Sequence, residues 1–245
     1  MNQYNKIAEC LGSARHLVIF SGAGMSTSSG LPDFRSSQGL WSRYNPMALA
    51  SIDAMENNRE AFLDFYRYRI NALKNASPNL GHCILSKWEE ENLLQGIITQ
   101  NVDGFHQEAG CRNVVELHGT LRKARCSRCK KEFPSELLLT EELCPDCKGI
   151  LRPGVVLFGE MLPDTPMKRA HELSLKSDVF MVLGSSLNVS PANFFPLEAH
   201  EAGAKLIILN REPTQYDSIA SFVVRENLVD ALERIQQIMH REGGH

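Results

Sequence analysis

No stretch of the 245-residue chain approaches the roughly 20 apolar residues that a bilayer-spanning helix needs. The opening MNQYNKIAECLG is also too weakly apolar for a secretory leader, so a cytoplasmic protein with no membrane partner is expected. A basic run is missing. With a formal net charge of −3, the chain has no electrostatic basis for binding nucleic acid, and no such partner is expected. Internal repeats and low-complexity tracts are absent, which leaves an ordinary globular fold. A disulfide framework is missing too, because the seven cysteines are odd in number and only four of them are grouped. The scattered Cys10, Cys83 and Cys111 read as small buried hydrophobes.

What is present is a well-filled core, with 43% hydrophobic and 22% charged residues. Short apolar runs recur at Leu17–Phe20, Gly96–Thr99, Val114–Leu117, Val155–Phe158, Val179–Leu183, Lys205–Leu209 and Phe222–Val224. Most are rich in Val, Ile and Leu without polar alternation, as in strands buried on both faces of a parallel sheet. Amphipathic segments separate them: Arg59–Lys74, Leu80–Asn92, Pro166–Lys176, Ala192–Ala202 and Val229–Arg241. This alternation predicts an α/β fold, an open doubly wound Rossmann-like parallel sheet. Two segments interrupt it, a helical insertion over about 36–78 and a cysteine-bearing module over about 122–152. The core is then 1–35, 79–121 and 153–245 of a single domain.

Three constellations carry chemistry. After the first strand, Gly22 and Gly24 form a Gly-x-Gly turn with Thr27 in place of a third glycine. Such a turn lets backbone approach a pyrophosphate, although a tight turn without a ligand uses the same two glycines. Gln100, Asn101 and Asp103 follow the strand Gly96–Thr99, at the end where open α/β sheets bind ligands, and His118 follows another strand. Histidine suits proton transfer near neutral pH. The alternative is a hydrogen-bonded structural His118 and an Asp103 that caps the next helix. Finally, Cys126-x-x-Cys129 and Cys144-x-x-Cys147 have the spacing of a structural zinc site. A redox pair, an iron–sulfur cluster or thiolates stabilised by Arg125, Arg128, Lys130 and Lys131 compete with zinc. Four sulfur ligands leave no open position, so this zinc is expected to be structural.

The run from Gly22 to Arg35, GAGMSTSSGLPDFR, resembles the sirtuin signature nearly residue for residue. Thr99–Asp103, Leu117–Gly119, the two cysteine pairs and Gly184–Leu187 follow in the family's order, and Phe158–Glu160 and Asn210–Thr214 are similar to further blocks. The resemblance runs from about residue 15 to 230. It implies an NAD-dependent protein-lysine deacylase, with acyl-lysine proteins or peptides as partners and NAD as co-substrate. In that family the acyl oxygen attacks C1′ of the nicotinamide ribose, releasing nicotinamide and forming an alkylimidate on the way to free lysine and O-acyl-ADP-ribose. By resemblance His118 is the base on the ribose hydroxyls, and Asn101 positions ribose and water. Asp103 and the backbone of Val102 hold the carboxamide, while Phe34 covers the reactive ribose face. Arg35 and Ala23 lie along the phosphates; Ser186, Asn210 and Leu228 line the adenosine side, and Gln100, Thr27 and Ser185 also belong to the NAD site. The peptide would add as a strand between Gly159–Glu160 and Asn188–Ser190, including Val189, with Val156 and Phe158 walling the lysine stem.

The acyl group is the open question. Tyr66-x-x-Arg69 resembles the pair that reads a distal carboxylate in the succinyl- and malonyl-removing subgroup, and Arg is the natural fork for a carboxylate. A Tyr and an Arg at i, i+3 on an exposed helix face would look the same. Thr27-Ser28-Ser29-Gly30 and Asp33-Phe34-Arg35 depart from that subgroup's pattern. Deacetylation is therefore the expected activity, with desuccinylation or demalonylation as the alternative and mono-ADP-ribosyl transfer as the nearest enzymatic rival. A hydride-transferring dehydrogenase would leave NAD intact, and a non-catalytic zinc module would not need His118, Asn101 and Asp103 together.

Overall fold

The computed structural model describes residues 2–34, 36 and 39–242. Its helices are α1 (Gln3–Gly12), α2 (Leu40–Arg43), α3 (Pro46–Leu49), α4 (Ile52–Asn57), α5 (Arg59–Lys74), α6 (Leu80–Glu90), α7 (Phe105–Glu108), α8 (Asp164–Lys176), α9 (Phe195–Glu201) and α10 (Leu228–Glu242). The strands are β1 (Leu17–Ser21), β2 (Leu94–Thr99), β3 (Val114–Glu116), β4 (Gly119–Cys126), β5 (Glu132–Pro134), β6 (Leu151–Val155), β7 (Val179–Leu183), β8 (Lys205–Leu209) and β9 (Phe222–Val224).

Six strands form a parallel sheet in the order β3-β2-β1-β7-β8-β9. Every residue of β1 and β7 is buried, and successive residues serve opposite faces. Leu17, Ile19, Val179 and Met181 pack with Ile7 and Leu11 of α1, Leu85 and Trp88 of α6, and Leu232 and Ile235 of α10. Val18, Phe20, Phe180 and Val182 pack with Ala170 of α8 and with Phe195 and Ala199 of α9. Burial on both faces is why these runs show no polar alternation. The two halves of the sheet meet at β1 and β7, so the chain changes winding direction there and a crevice opens at the strand carboxyl ends.

Three features depart from the sequence reading. Helix α1 forms from the polar opening because Tyr4, Ile7, Ala8 and Leu11 share one buried face and Asn2 accepts a hydrogen bond from the Tyr4 N–H. Cys83 is exposed, whereas Cys10 and Cys111 are buried as expected. The run Val155–Phe158 is not a strand of the main sheet. Its first residue ends β6, which pairs antiparallel with β4, while Val156 and Phe158 hydrogen-bond through their N–H groups to the carbonyls of His118 and Ala50. An apolar run of this length does not say which partner it will pair with.

The two interrupting segments share one core. Phe62, Leu63, Phe65, Tyr66, Ile70 and Leu73 of α5 pack against Leu121, Ala124, Leu138 and Leu151 around the three-stranded sheet β5-β4-β6. Arg59 and Arg67 of α5 donate to the carbonyls of Leu151 and Leu138 at 2.8 and 2.9 Å, joining the segments by polar contacts as well.

At the far side of this lobe the four sulfurs of Cys126, Cys129, Cys144 and Cys147 lie within 4.8 Å of one another. Cys126 Sγ is 3.4 Å from Cys147 Sγ, and Cys129 Sγ is 3.8 Å from Cys144 Sγ. A tetrahedral zinc with bonds of about 2.3 Å sets its sulfurs about 3.8 Å apart, so the cage fits that ion. The Cys129 and Gly149 N–H groups point at Cys126 Sγ and Cys147 Sγ, both at 3.4 Å, as suits thiolate acceptors.

Behind the main sheet two histidines are buried without charge. His82 accepts from the Asn79 N–H through Nδ1 at 3.2 Å, and its ring centroid lies 5.0 Å from that of His106. Burial lowers His82 to about 4 and drives His106 well below the usual histidine value.

Two outcomes follow from this architecture. Stripping the metal with a chelator, or substituting Cys144→Ala, is expected to remove one zinc per chain by elemental analysis and to lower the melting temperature. A chain that keeps its stability without metal would contradict the zinc assignment. The unfolded state binds more protons than the folded one between the ordinary histidine pKa and the lowered value, so stability falls as pH drops through that window. For His82 the loss is on the order of 3 kcal/mol from pH 6.5 to 4. Urea midpoints of His82→Gln should therefore show a shallower acid slope than those of the parent.

Candidate active site

The polar residues expected at strand ends meet in a cleft of about 1440 Å³ between the carboxyl ends of the large sheet and the α2–α5 side of the small lobe. Ala23, Gly24, Thr27 and Phe34 line it from the segment after β1, and Gln100, Asn101 and Val102 from the end of β2. His118 enters after β3. Ser185, Ser186 and Val189 come after β7, Asn210 after β8, and Leu228 from the start of α10. Val156, Phe158, Gly159 and Glu160 form the wall on the lobe side, with Tyr66 and Arg69 of α5 beside them. Arg35 lies outside the described residues.

Gly22 lies outside the lining, and both glycines make close contacts within the protein. The Gly22 and Gly24 N–H groups donate to the carbonyls of Leu183 and Gly184, each at 2.9 Å. A Cβ on Gly22 would stand 2.8 Å from the Gly184 oxygen, and one on Gly24 would stand 2.8 Å from the Gly184 Cα. Gly184 itself has φ of +61°, and a Cβ there would fall 2.5 Å from the Met25 nitrogen. The glycines are needed for two turns to touch each other, which in turn seats Ala23 and Gly24 at the cleft.

His118 Nδ1 lies 3.0 Å from the Gln100 carbonyl. A carbonyl only accepts, so Nδ1 carries the proton and the lone pair of the neutral ring is on Nε2. Asn101 is held from two sides: its N–H donates to Thr99 Oγ1 at 3.0 Å and its Nδ2 donates to Ser26 Oγ at 3.3 Å. Ser26 Oγ in turn donates to Asp103 Oδ2 at 2.8 Å, while Asp103 Oδ1 accepts from the Phe105 N–H at 2.9 Å. Asp103, one residue before the Gly104 N-cap, thus takes up the first N–H of the short α7 and keeps its other oxygen in the site. Burial raises its carboxyl above the ordinary value, against the pull of its hydrogen bonds and of Arg122 and Arg69. A side pocket of about 50 Å³ opens here, lined by Ser26, Asn101, Val102, Asp103 and Arg69 among others.

Gln100 Oε1 accepts from Ser185 Oγ at 3.2 Å, whereas its Nε2 is buried with no partner among the described residues. Arg69 is half-buried, with its guanidinium 5.1, 5.6 and 5.7 Å from the ring centroids of Phe34, Phe65 and Tyr66. Among the described residues no carboxylate forms an ion pair with it. Burial pushes the Tyr66 hydroxyl up to about 12, opposed by Arg69. The pair does not sit on an exposed face: Tyr66 is 2% exposed.

Two contributors were not singled out from sequence. Ser26 links Asn101 to Asp103, and Glu226 lines the cleft just after β9. Position directly after a strand carboxyl end is the signal that points to Glu226. Ser26 carried no signal of its own within a turn full of serines.

The Sir2 family description matches residues 22–191. The chain is 52% identical over 224 residues to the NAD-dependent protein deacetylase 1 of Geobacillus kaustophilus, covering 91% of this chain and 93% of the relative. It is 50% identical to the NAD-dependent protein deacetylase of Oceanobacillus iheyensis, covering 91% and 95%. Among solved structures, a Sir2 enzyme studied for its mechanism and regulation aligns with a TM-score of 0.91 and 38% identity, over 98% of both chains. A Sir2 protein with deacetylated p53 peptide and 3′-O-acetyl ADP ribose aligns with a TM-score of 0.91 and 37% identity, again over 98% of both. With its strand order, its cleft and its four-cysteine cage alongside these likenesses, the chain belongs to the Sir2 family, the sirtuins.

Proposed function

We propose that this protein removes acyl groups, acetyl foremost, from protein lysines in an NAD-dependent reaction that yields nicotinamide and O-acyl-ADP-ribose. The observation that carries the reading is the setting of His118, whose Nδ1–H is tied to the Gln100 carbonyl at 3.0 Å inside the cleft at the sheet's switch point. That bond leaves Nε2 as a base oriented by the backbone. The bacterial relatives of the same length are NAD-dependent protein deacetylases.

The residues suit a dinucleotide. Gln100 Nε2 is a buried donor awaiting an acceptor, and Ala23, Gly24 and Thr27 present a turn over which phosphates can lie. Ser185, Ser186, Asn210 and Leu228 fall on the adenosine side. Bound NAD supplies a ribose carbon that accepts the acyl oxygen as nicotinamide leaves. His118 Nε2 takes the proton of a ribose hydroxyl, and Asn101, clamped by Thr99 and Ser26, orients ribose and water. Asp103 and the Val102 backbone hold the carboxamide at the side pocket. Phe34, at 5.2 Å from the Trp41 ring, shields the reactive face from water.

Peptide binding by strand addition is supported by main chain left without partners. Among the described residues, the N–H and C=O of Gly159 and Asn188 and the N–H of Val189 make no hydrogen bond. A peptide between them would pair with both segments, with Val156 and Phe158 along the lysine stem. We read the chain as one catalytic domain whose core carries two insertions, the second built around a closed zinc site that takes no part in the reaction. Four thiolates kept as metal ligands are consistent with a reducing compartment, hence the cytoplasm.

A second reading of the acyl group rests on Arg69. A half-buried guanidinium that lines the cleft, with no carboxylate in an ion pair with it among the described residues, is suited to a succinyl or malonyl group. Turnover of acetyl- and succinyl-lysine peptides by the parent and by Arg69→Ala decides it: selective loss of succinyl turnover supports the clamp, and unchanged succinyl turnover sinks it.

For the main reading, His118→Ala is expected to lower kcat/KM on an acetyl-lysine peptide by about 10³-fold, in the range usual for loss of a general base. Nicotinamide should appear in step with deacetylated peptide. Full activity in the variant, or turnover that leaves NAD intact, would overturn the assignment.

A further inference from the structure

The cleft wall opposite the main sheet carries a buried ion pair that the reaction described above does not use. Glu160 Oε1 and Oε2 accept from Arg152 Nη1 and Nη2 at 2.5 and 2.7 Å, a two-bond fork. The Arg152 side chain is 6% exposed and that of Glu160 24%. Neither group is spent on the other alone. Glu160 Oε2 also accepts from the Leu157 N–H at 2.8 Å, and Arg152 Nη2 also donates to the Val155 carbonyl at 2.8 Å. The Glu160 N–H closes the turn on the Leu157 carbonyl at 3.0 Å.

These bonds converge on one short stretch of chain. Val155 is the last residue of β6, and Val156–Gly159 is the segment that leaves the antiparallel sheet to form the cleft wall. Gly159 adopts φ of +94° and exposes the main-chain groups without partners. Arg152 is itself anchored, since β6 pairs Arg152 with Arg125 and Leu151 with Cys126 of β4. A buried guanidinium thus ties a rigid strand to both ends of a segment that has no sheet of its own.

We propose that Arg152 and Glu160 are positioning residues for the acyl-lysine peptide, fixing the path of Val156–Gly159 and the Leu157–Glu160 turn so that Gly159 is presented for main-chain pairing. The proposal rests on the strand-addition reading given above. Glu160 acts through the segment and does not touch the substrate with its side chain. Burial alone would raise the Glu160 carboxyl, but the Arg152 fork and the Leu157 N–H hold it below the usual carboxylate range, so it is charged whenever the enzyme works.

The test compares the full-length parent with Glu160→Gln and Arg152→Lys. Gln keeps one acceptor for the Leu157 N–H but turns an amide NH2 toward the guanidinium; Lys keeps the charge and loses the fork. Peptide KM should rise by about tenfold or more in both, with kcat and the KM for NAD within about twofold, as expected when substrate positioning alone is lost. Affinity for ADP-ribose, measured by calorimetry, should stay at the parent value and certifies that each variant is folded. If ADP-ribose affinity collapses along with peptide affinity, the pair supports the whole fold and the proposal is wrong. A peptide N-methylated at the backbone amide next to the acyl-lysine separates the two readings. Weaker binding of that peptide to the parent, with normal peptide KM in Glu160→Gln, overturns the positioning role alone. Equal binding of methylated and plain peptides by the parent overturns strand addition and with it this proposal.

Discussion

Three glycines meet backbone to backbone where β1 and β7 part, and the geometry of the cleft depends on that contact. Gly24 donates to the Gly184 carbonyl, and no side chain fits at Gly22, Gly24 or Gly184 without driving the two turns apart. The contact sets how closely the halves of the sheet approach at the switch point. Everything that follows those turns takes its place from it: Ala23 and Ser26 on one side, Ser185 and Ser186 on the other. Gln100, bonded to Ser185 Oγ, then bridges to the β2 end and presents its carbonyl to His118.

The other wall is built on different physics. A helical segment and a cysteine module, each too small for a core of its own, bury their apolar faces against each other. The sulfur cage closes the far end of this lobe, while Arg152 and Glu160 shape the near end. The zinc site and the reaction site are thereby separate in chemistry and joined in structure. A zinc held by four sulfurs would have no open position and so no reactive role, while the β4–β6 pairing beside the cage runs from Cys126 towards the cleft.

Inside the cleft, polar groups are satisfied in an economical way. Asp103 divides its two oxygens between the Phe105 N–H at the start of α7 and Ser26. One group stands out among the described residues by what it leaves unmatched, Gln100 Nε2, while Arg69 lies among three aromatic faces beside the Tyr66 hydroxyl. A buried donor without a protein acceptor is uncommon, and both Gln100 and Arg69 line the cleft.

Much was legible from the residues alone. The boundaries of α5, the positions of β1, β7, β8 and β9, the four-cysteine spacing and the ordered blocks around His118 all depend on local periodicity or contiguous motifs, which a linear reading captures. What only the tertiary structure decided involves partners far apart in the chain. The close approach at Gly22 and Gly24 is set by Gly184, the fate of Val155–Phe158 by pairing with β4 and by Ala50, and the setting of Arg69 by the rings of Phe34, Phe65 and Tyr66. The packing of α5 against the β5-β4-β6 sheet in one core belongs here too. Composition and spacing specify what a segment can become, but close approach and burial are properties of pairs that meet only on folding.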